Sequence, residues 1–174
     1  MREVHMYPKR NKANEKELDS MLRRLPHAVA VMRGSEKHRQ IHGVVKFYQA
    51  RSGVLVVADI LGLPVSEEAC GGGIFAFHVH GGGSCSGNRE DPFANAGTHY
   101  NPENCPHPDH AGDMPPLFGA GGRAFLAFLT DRFDVNEILG KTVIIHDGLD
   151  DFTTQPSGNA GNKIACGVIS RVRR

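Results

Sequence analysis

Residues 81–123 show no helical or strand period, yet the segments on either side alternate as β-strands do. An aperiodic stretch of that length is unusual inside a compact domain unless it is functional or cross-linked. This one is rich in glycine and proline and carries His99, His107, His110 and Asp113, together with Cys85 and Cys105. Metal ions held by such side chains supply order that a hydrophobic core cannot. The chain has ten histidines in all. Imidazole, largely uncharged at neutral pH, is the commonest metal ligand.

The flanking pattern predicts strands over 28–32, 41–49, 54–61, 74–80, 124–129, 141–146 and 163–172. In the second of these, Ile41, Gly43, Val45 and Phe47 alternate with His42, Val44, Lys46 and Tyr48. Short strands separated by turn signals predict an all-β, antiparallel sandwich or barrel over residues 27–174. Residues 1–26 read as an appendage. Leu18, Met21, Leu22 and Leu25 lie at helical spacing, Asn14 and Glu17 suit a capping box, and Pro26 ends the helix.

With 174 residues and a formal net charge of +1, the chain fits one ordinary domain with no charge-driven partner. Its basic residues are scattered and Trp is absent, so no nucleic-acid partner is expected. No apolar run approaches the roughly 20 residues of a membrane helix. The first 24 residues are polar and charged, unlike a secretory signal. The expected location is the cytoplasm, or outside it if a leader precedes this chain. The four cysteines show no CxxC spacing, which argues against a zinc ribbon.

Three segments carry the chemistry. In Phe75-Ala76-Phe77-His78-Val79-His80, alternation puts Phe75, Phe77 and Val79 on the core face. His78 and His80 then share the opposite face, roughly 6–7 Å apart at the backbone. Two imidazoles so placed can converge on one ion, although an H-x-H pair can also be two exposed histidines. Next, His99, His107, His110 and Asp113 offer an N₃O set suited to tetrahedral zinc. Pro102, Pro106 and Pro108 stiffen that loop and lower the entropy lost on ordering it. Last, His146 ends an apolar strand, and Asp150 follows where a carboxylate could accept N–H groups from ligand imidazoles.

Together these segments resemble the copper–zinc superoxide dismutase family over most of residues 28–172. The resemblance is carried by 75–85, 96–102, 107–113, 140–151 and 158–169. In the last of these, Gly158-Asn159-Ala160-Gly161-Asn162-Lys163-Ile164-Ala165-Cys166 is similar to the family's C-terminal signature. The resemblance implies an eight-stranded Greek-key β-barrel with long metal-binding loops. It implies a copper ion on His78, His80, His99 and His146, and a zinc ion on His99, His107, His110 and Asp113, with His99 shared. It implies that Asp150 joins the two shells through His78 and His107. Cys85 and Cys166 match the family's disulfide, Cys85 at the position typical of bacterial members. The implied reaction converts superoxide to oxygen and hydrogen peroxide.

The chain also departs from the family. Lys163 stands where the family has an active-site arginine, keeping the charge but losing the planar fork. The spacing from His107 to His110 is short, which crowds one turn and trims the zinc loop. The segment between Asp151 and Gly158 is short too. The alternative reading is a copper- and zinc-binding protein with little turnover. A zinc hydrolase needs an open zinc position, which a four-ligand shell lacks. Cys105 reads as an inert thiol, Cys70 has no assigned role, and His5, His27, His38 and His42 read as surface residues. Arg171, Arg173 and Arg174 read as a solvated tail. A monomer and a homodimer both remain open.

Overall fold

Val45 and Phe47 are fully buried while Lys46 between them is not, as the period-two pattern of their strand requires. The computed structural model describes residues 20–66 and 73–173. The strands are β1 (Ala28–Gly34), β2 (His42–Ala50), β3 (Gly53–Leu61), β4 (Ile74–Phe75), β5 (Phe77–His80), β6 (Leu117–Phe118), β7 (Arg123–Thr130), β8 (Thr142–His146) and β9 (Lys163–Arg171). The main sheet runs β5-β8-β9-β1-β2-β3-β7, and every pairing in it is antiparallel. β4 and β6 form a separate pair.

The separate pair closes the sheet on itself. β6 leads into β7 at one edge, and its partner β4 runs on into β5 at the other. Crossovers from β3 to β4 and from β7 to β8 give the Greek-key connectivity. The predicted strand 74–80 is interrupted at Ala76, whose N–H donates to the Gly148 carbonyl and whose carbonyl accepts from His146. With β4 and β5 counted as halves of one strand, the barrel has eight strands. The eighth, β6, lies inside the stretch that the sequence reads as aperiodic. Two residues are too few to display a period.

Phe47, Phe77, Met32, Ile60, Ile145 and Ile169 fill the interior. One short helix, α1 (Val135–Ile138), lies between β7 and β8, closed by a capping box of Asp134 and Glu137. The sequence reading did not anticipate it. Of the predicted N-terminal helix, residues 14–19 lie outside the described residues, and Ser20–Leu22 are helical. The helix ends at Leu22, before the expected Leu25, and the Arg24 amide closes a turn on the Met21 carbonyl. Met21 packs on Tyr48, Leu55 and Val57 on the outer face of the sheet. No helix among the described residues is long and apolar enough to cross a membrane.

Candidate metal centre

β5 pairs with β8 in the register His78↔Ile144 and His80↔Thr142. Phe77 and Val79 point into the core, so His78 and His80 point the other way. That face is not open to solvent: His78 is 0% and His80 2% exposed. The cover is the segment from His99 to Asp113. It folds back over β5 through the bridges His80↔His99 and His78↔Asp113 and through the bond from the Val79 amide to the Gly112 carbonyl. His146 ends β8 at a register shift against β9, a local irregularity that aims its ring at the same point.

Two groups of donor atoms result. Ring nitrogens of His78, His80, His99 and His146 lie within 4.8 Å of one another, and so do donor atoms of His99, His107, His110 and Asp113. In the first group, His80 Nε2 faces His146 Nε2 at 3.3 Å. In the second, His99 Nδ1 lies 2.7 Å from Asp113 Oδ1 and 3.3 Å from His110 Nδ1, and His107 Nδ1 lies 3.0 Å from Asp113 Oδ2. His99 belongs to both.

The outward-facing nitrogens are tied down. His78 Nε2 donates to Asp150 Oδ2 at 2.7 Å and His107 Nε2 to Asp150 Oδ1 at 2.9 Å. His80 Nδ1 donates to the Gly97 carbonyl at 2.8 Å, and His146 Nδ1 to the Gly161 carbonyl at 3.2 Å. Each of these bonds fixes a tautomer whose remaining nitrogen presents a lone pair inward. Three inward nitrogens, His78 Nδ1, His99 Nε2 and His107 Nδ1, are buried without a hydrogen-bond partner. A buried polar atom left so costs about 1–3 kcal/mol. A cation at each focus satisfies all three. The donor chemistry fits: imidazole suits copper and zinc, and N₃O suits tetrahedral zinc.

The electrostatics agree. Burial pushes the pKa of His78 down, that of His80 far down and that of His146 to about 3. Burial also lowers His110. These rings are neutral at pH 7, as a metal ligand must be. Burial works to raise Asp150, but hydrogen bonds from His78, the Phe152 amide and His107 outweigh it and hold the carboxylate well below its usual range. Asp113 is lowered in the same way, chiefly by its bond from His99. Gly158, in the left-handed region at φ 67°, lies against this bridge. A β-carbon there would run into Asp150 Oδ1 and the His107 ring.

A cavity of about 380 Å³ opens over the first group, lined by His80, Thr98, His99, His146, Gly161 and Lys163. Lys163 is turned aside within it. Its ammonium donates to Asp91 Oδ2 at 2.7 Å and to the Phe93 carbonyl at 3.3 Å. Lys163, which the family resemblance puts at the position of a cationic active-site residue, is thus paired with a carboxylate from a distant loop. Cys85 and Cys166 form a disulfide that ties this loop to β9.

The remaining expectations resolve simply. His27 accepts from the Gln49 amide, His38 pairs with Ser35 Oγ and His42 is exposed, all away from the two groups. Cys105 is a free, partly buried thiol. Arg171 is not merely solvated, since it donates to Asn136. His5, Cys70 and Arg174 lie outside the described residues. Two residues that the sequence reading passed over touch the second group. Gln155 bonds both backbone groups of His107, and Arg132 bonds the carbonyls of Pro108 and His110.

The sequence profile of copper/zinc superoxide dismutases matches residues 41–169. Superoxide dismutase [Cu-Zn] of Schizosaccharomyces pombe is 36% identical over 160 residues, covering 82% of this chain and 96% of its own length. Superoxide dismutase [Cu-Zn] 2 of Aquifex aeolicus is 33% identical over 145 residues, covering 75% and 80% respectively. A more distant relative, the copper chaperone for superoxide dismutase of Rattus norvegicus, is 27% identical over 165 residues, covering 87% of this chain and 56% of its own length. Barrel, paired donor groups and matched span agree: the chain belongs to the copper/zinc superoxide dismutase family.

Proposed function

We propose that this protein is a superoxide dismutase, converting two superoxide ions and two protons to oxygen and hydrogen peroxide. Copper is assigned to His78 Nδ1, His80 Nε2, His99 Nε2 and His146 Nε2. Zinc is assigned to the Nδ1 atoms of His99, His107 and His110 and to the Asp113 carboxylate. The observation that carries the assignment is His99, whose two ring nitrogens face different donor groups while the other five rings each offer one.

Bound copper supplies a one-electron couple that imidazole ligands support in both oxidation states. The protein's residues do the rest. His78, His80 and His146 hold fixed tautomers, so no reorganisation is needed during turnover. The His99 ring lines the cavity, and its Nε2 takes a proton from solvent and passes it to the forming peroxide, while Asp113 and the zinc-side rings keep its other nitrogen in place. Lys163 draws the anion in, its field partly offset by Asp91.

The alternative is a metal-binding relative with little turnover. The Lys163–Asp91 pair favours it, as does the similarity to a copper chaperone. Superoxide consumption per copper atom, in protein with copper and zinc quantified and a His146→Ala control, separates the two. Fast turnover lost in the control supports the enzyme, and slow turnover in fully loaded protein sinks it.

Three further assignments complete the reading. Residues 1–26 are an extension and 27–174 the catalytic domain. Exposed Phe125 and Leu129 on the outer face of β7 suit a homodimer, which sedimentation equilibrium tests. The disulfide supports the exported alternative over the cytoplasm, and fractionation of the source cell tests that.

A further inference from the structure

The turn from His107 to His110 is the one part of the zinc shell without a strand beneath it. His99 and Asp113 are bridged to β5, whereas residues 107–110 belong to no strand and form no bridge. Only three positions separate His107 from His110, so two ligand rings must leave one tight turn and still meet at a point. Metal ligands need their backbone held to within about 0.5 Å. A turn without a ladder loses that precision unless something else holds it.

Two side chains from other loops reach the backbone of this turn. Gln155 makes a two-point contact with His107: the His107 N–H donates to Oε1 at 2.9 Å, and Nε2 donates to the His107 carbonyl at 2.7 Å. Arg132 Nη1 donates to the Pro108 carbonyl at 2.7 Å and to the His110 carbonyl at 3.1 Å, and Nη2 lies 3.8 Å from Asp109 Oδ1. Three of the four residues of the turn are therefore hydrogen-bonded from outside it, and the fourth, Asp109, lies within ion-pair range.

We propose that Arg132 and Gln155 are positioning residues for zinc, a two-sided clamp that stands in for the missing length of the zinc loop. The proposal rests on the zinc ligand set assigned above. Arginine is suited to this place because Nη1 bonds both carbonyls while Nη2 sits in ion-pair range of the Asp109 carboxylate, a spread that a single lysine ammonium lacks. Gln155 is suited because its amide both donates and accepts, matching one peptide unit. Neither clamp touches the copper ligands. His78, His80 and His146 are held by the β5–β8 pairing instead.

The test is zinc transfer from the full-length copper- and zinc-loaded protein to the chromogenic chelator 4-(2-pyridylazo)resorcinol at pH 7, with copper retained on the protein measured in parallel. Arg132→Gln and Gln155→Glu are both of similar size to the residues they replace. The first removes the fork, and the second puts a carboxylate oxygen against the His107 carbonyl. Each should release zinc about ten- to a hundredfold faster than the parent. Arg132→Lys should fall between, and copper retention should stay at the parental level in all three. Parental zinc release in both Arg132→Gln and Gln155→Glu overturns the clamp. So does parallel loss of both metals, which marks a general loss of fold. A parent protein that holds no zinc overturns the ligand assignment and the clamp with it. If the parent holds zinc and the variants hold it equally well, the clamp alone fails.

Discussion

His78, His80 and His146 leave the rungs of a sheet, whereas His107 and His110 leave a turn of four residues. On the copper side, the pairing that builds the barrel also sets the ligand backbone, so ligand geometry and fold stability share one origin. On the zinc side, the ligands are set by side chains reaching in from elsewhere: Asp150 on the His107 ring, Gln155 on its backbone, and Arg132 on the carbonyls beyond. A sheet holds its ligands whether or not the ion is there. A clamped turn holds them through a few polar contacts, each replaceable by water. The two sides should therefore respond differently to the same insult.

Acid is the strongest way to probe that contrast. In metal-free protein His146 has a pKa of about 3, against about 6.5 in an unfolded chain. Between those values the unfolded chain binds more protons, so stability is fully present above pH 6.5 and falls as the pH drops toward 3. For His146 alone the loss is on the order of 5 kcal/mol. His80 and His146 donate to backbone carbonyls and have no carboxylate partner, whereas the zinc-side rings have Asp113. Melting temperatures of metal-free protein from pH 7 to pH 4 should fall steeply, and His146→Phe should flatten the curve. An unchanged slope would remove the copper side as its source.

Cutting the disulfide comes next. Cys85–Cys166 closes a separation of 81 residues, worth about 4–5 kcal/mol by chain entropy. It also pins the loop holding the Gly97 carbonyl that orients His80. Cys85→Ser with Cys166→Ser should lower denaturant stability by that order and weaken copper more than zinc, as metal titrations of the variant would show. Equal weakening would break the contrast.

His99→Ala should strike both sides at once. Structural zinc sites are worth about 10–16 kcal/mol over four ligands, so one ligand is worth about 3 kcal/mol, or roughly a hundredfold in affinity. Competition titrations should show both metals weakened by similar factors. Asp150→Asn should have the smallest effect and the most lopsided one. His107 depends on this carboxylate more than strand-held His78 does. Zinc affinity should fall about ten- to a hundredfold and copper affinity by less than tenfold.

Much of the copper side was legible in the sequence because its determinants are local. The alternation around Phe77 and Val79 already puts His78 and His80 on one face, and an apolar run ending at His146 marks a strand terminus. The zinc donors were legible as a cluster, and their assignment came with the family resemblance. Apart from the Asp150 link, the contacts that hold them were not legible. Arg132, Gln155 and Asp91 meet their partners across 22 to 72 positions, and nothing in the neighbouring residues announces those meetings. β6 was missed because two residues hold no period. α1 could have been found from Asp134 and Glu137, whose three-residue spacing is a capping box, had so short a helix been sought.

Gly158 gives the metal centre a genetic weak point. Any missense change at a glycine codon replaces the residue, and here every replacement brings a β-carbon against Asp150 and the His107 ring. Those are the groups that join the copper and zinc sides. A deep mutational scan should therefore find this codon nearly as intolerant as those of the ligands, although glycine binds no metal. Most of the surface of the barrel should accept change freely. Along this chain, inheritance is constrained not only where a side chain acts but where one would be in the way.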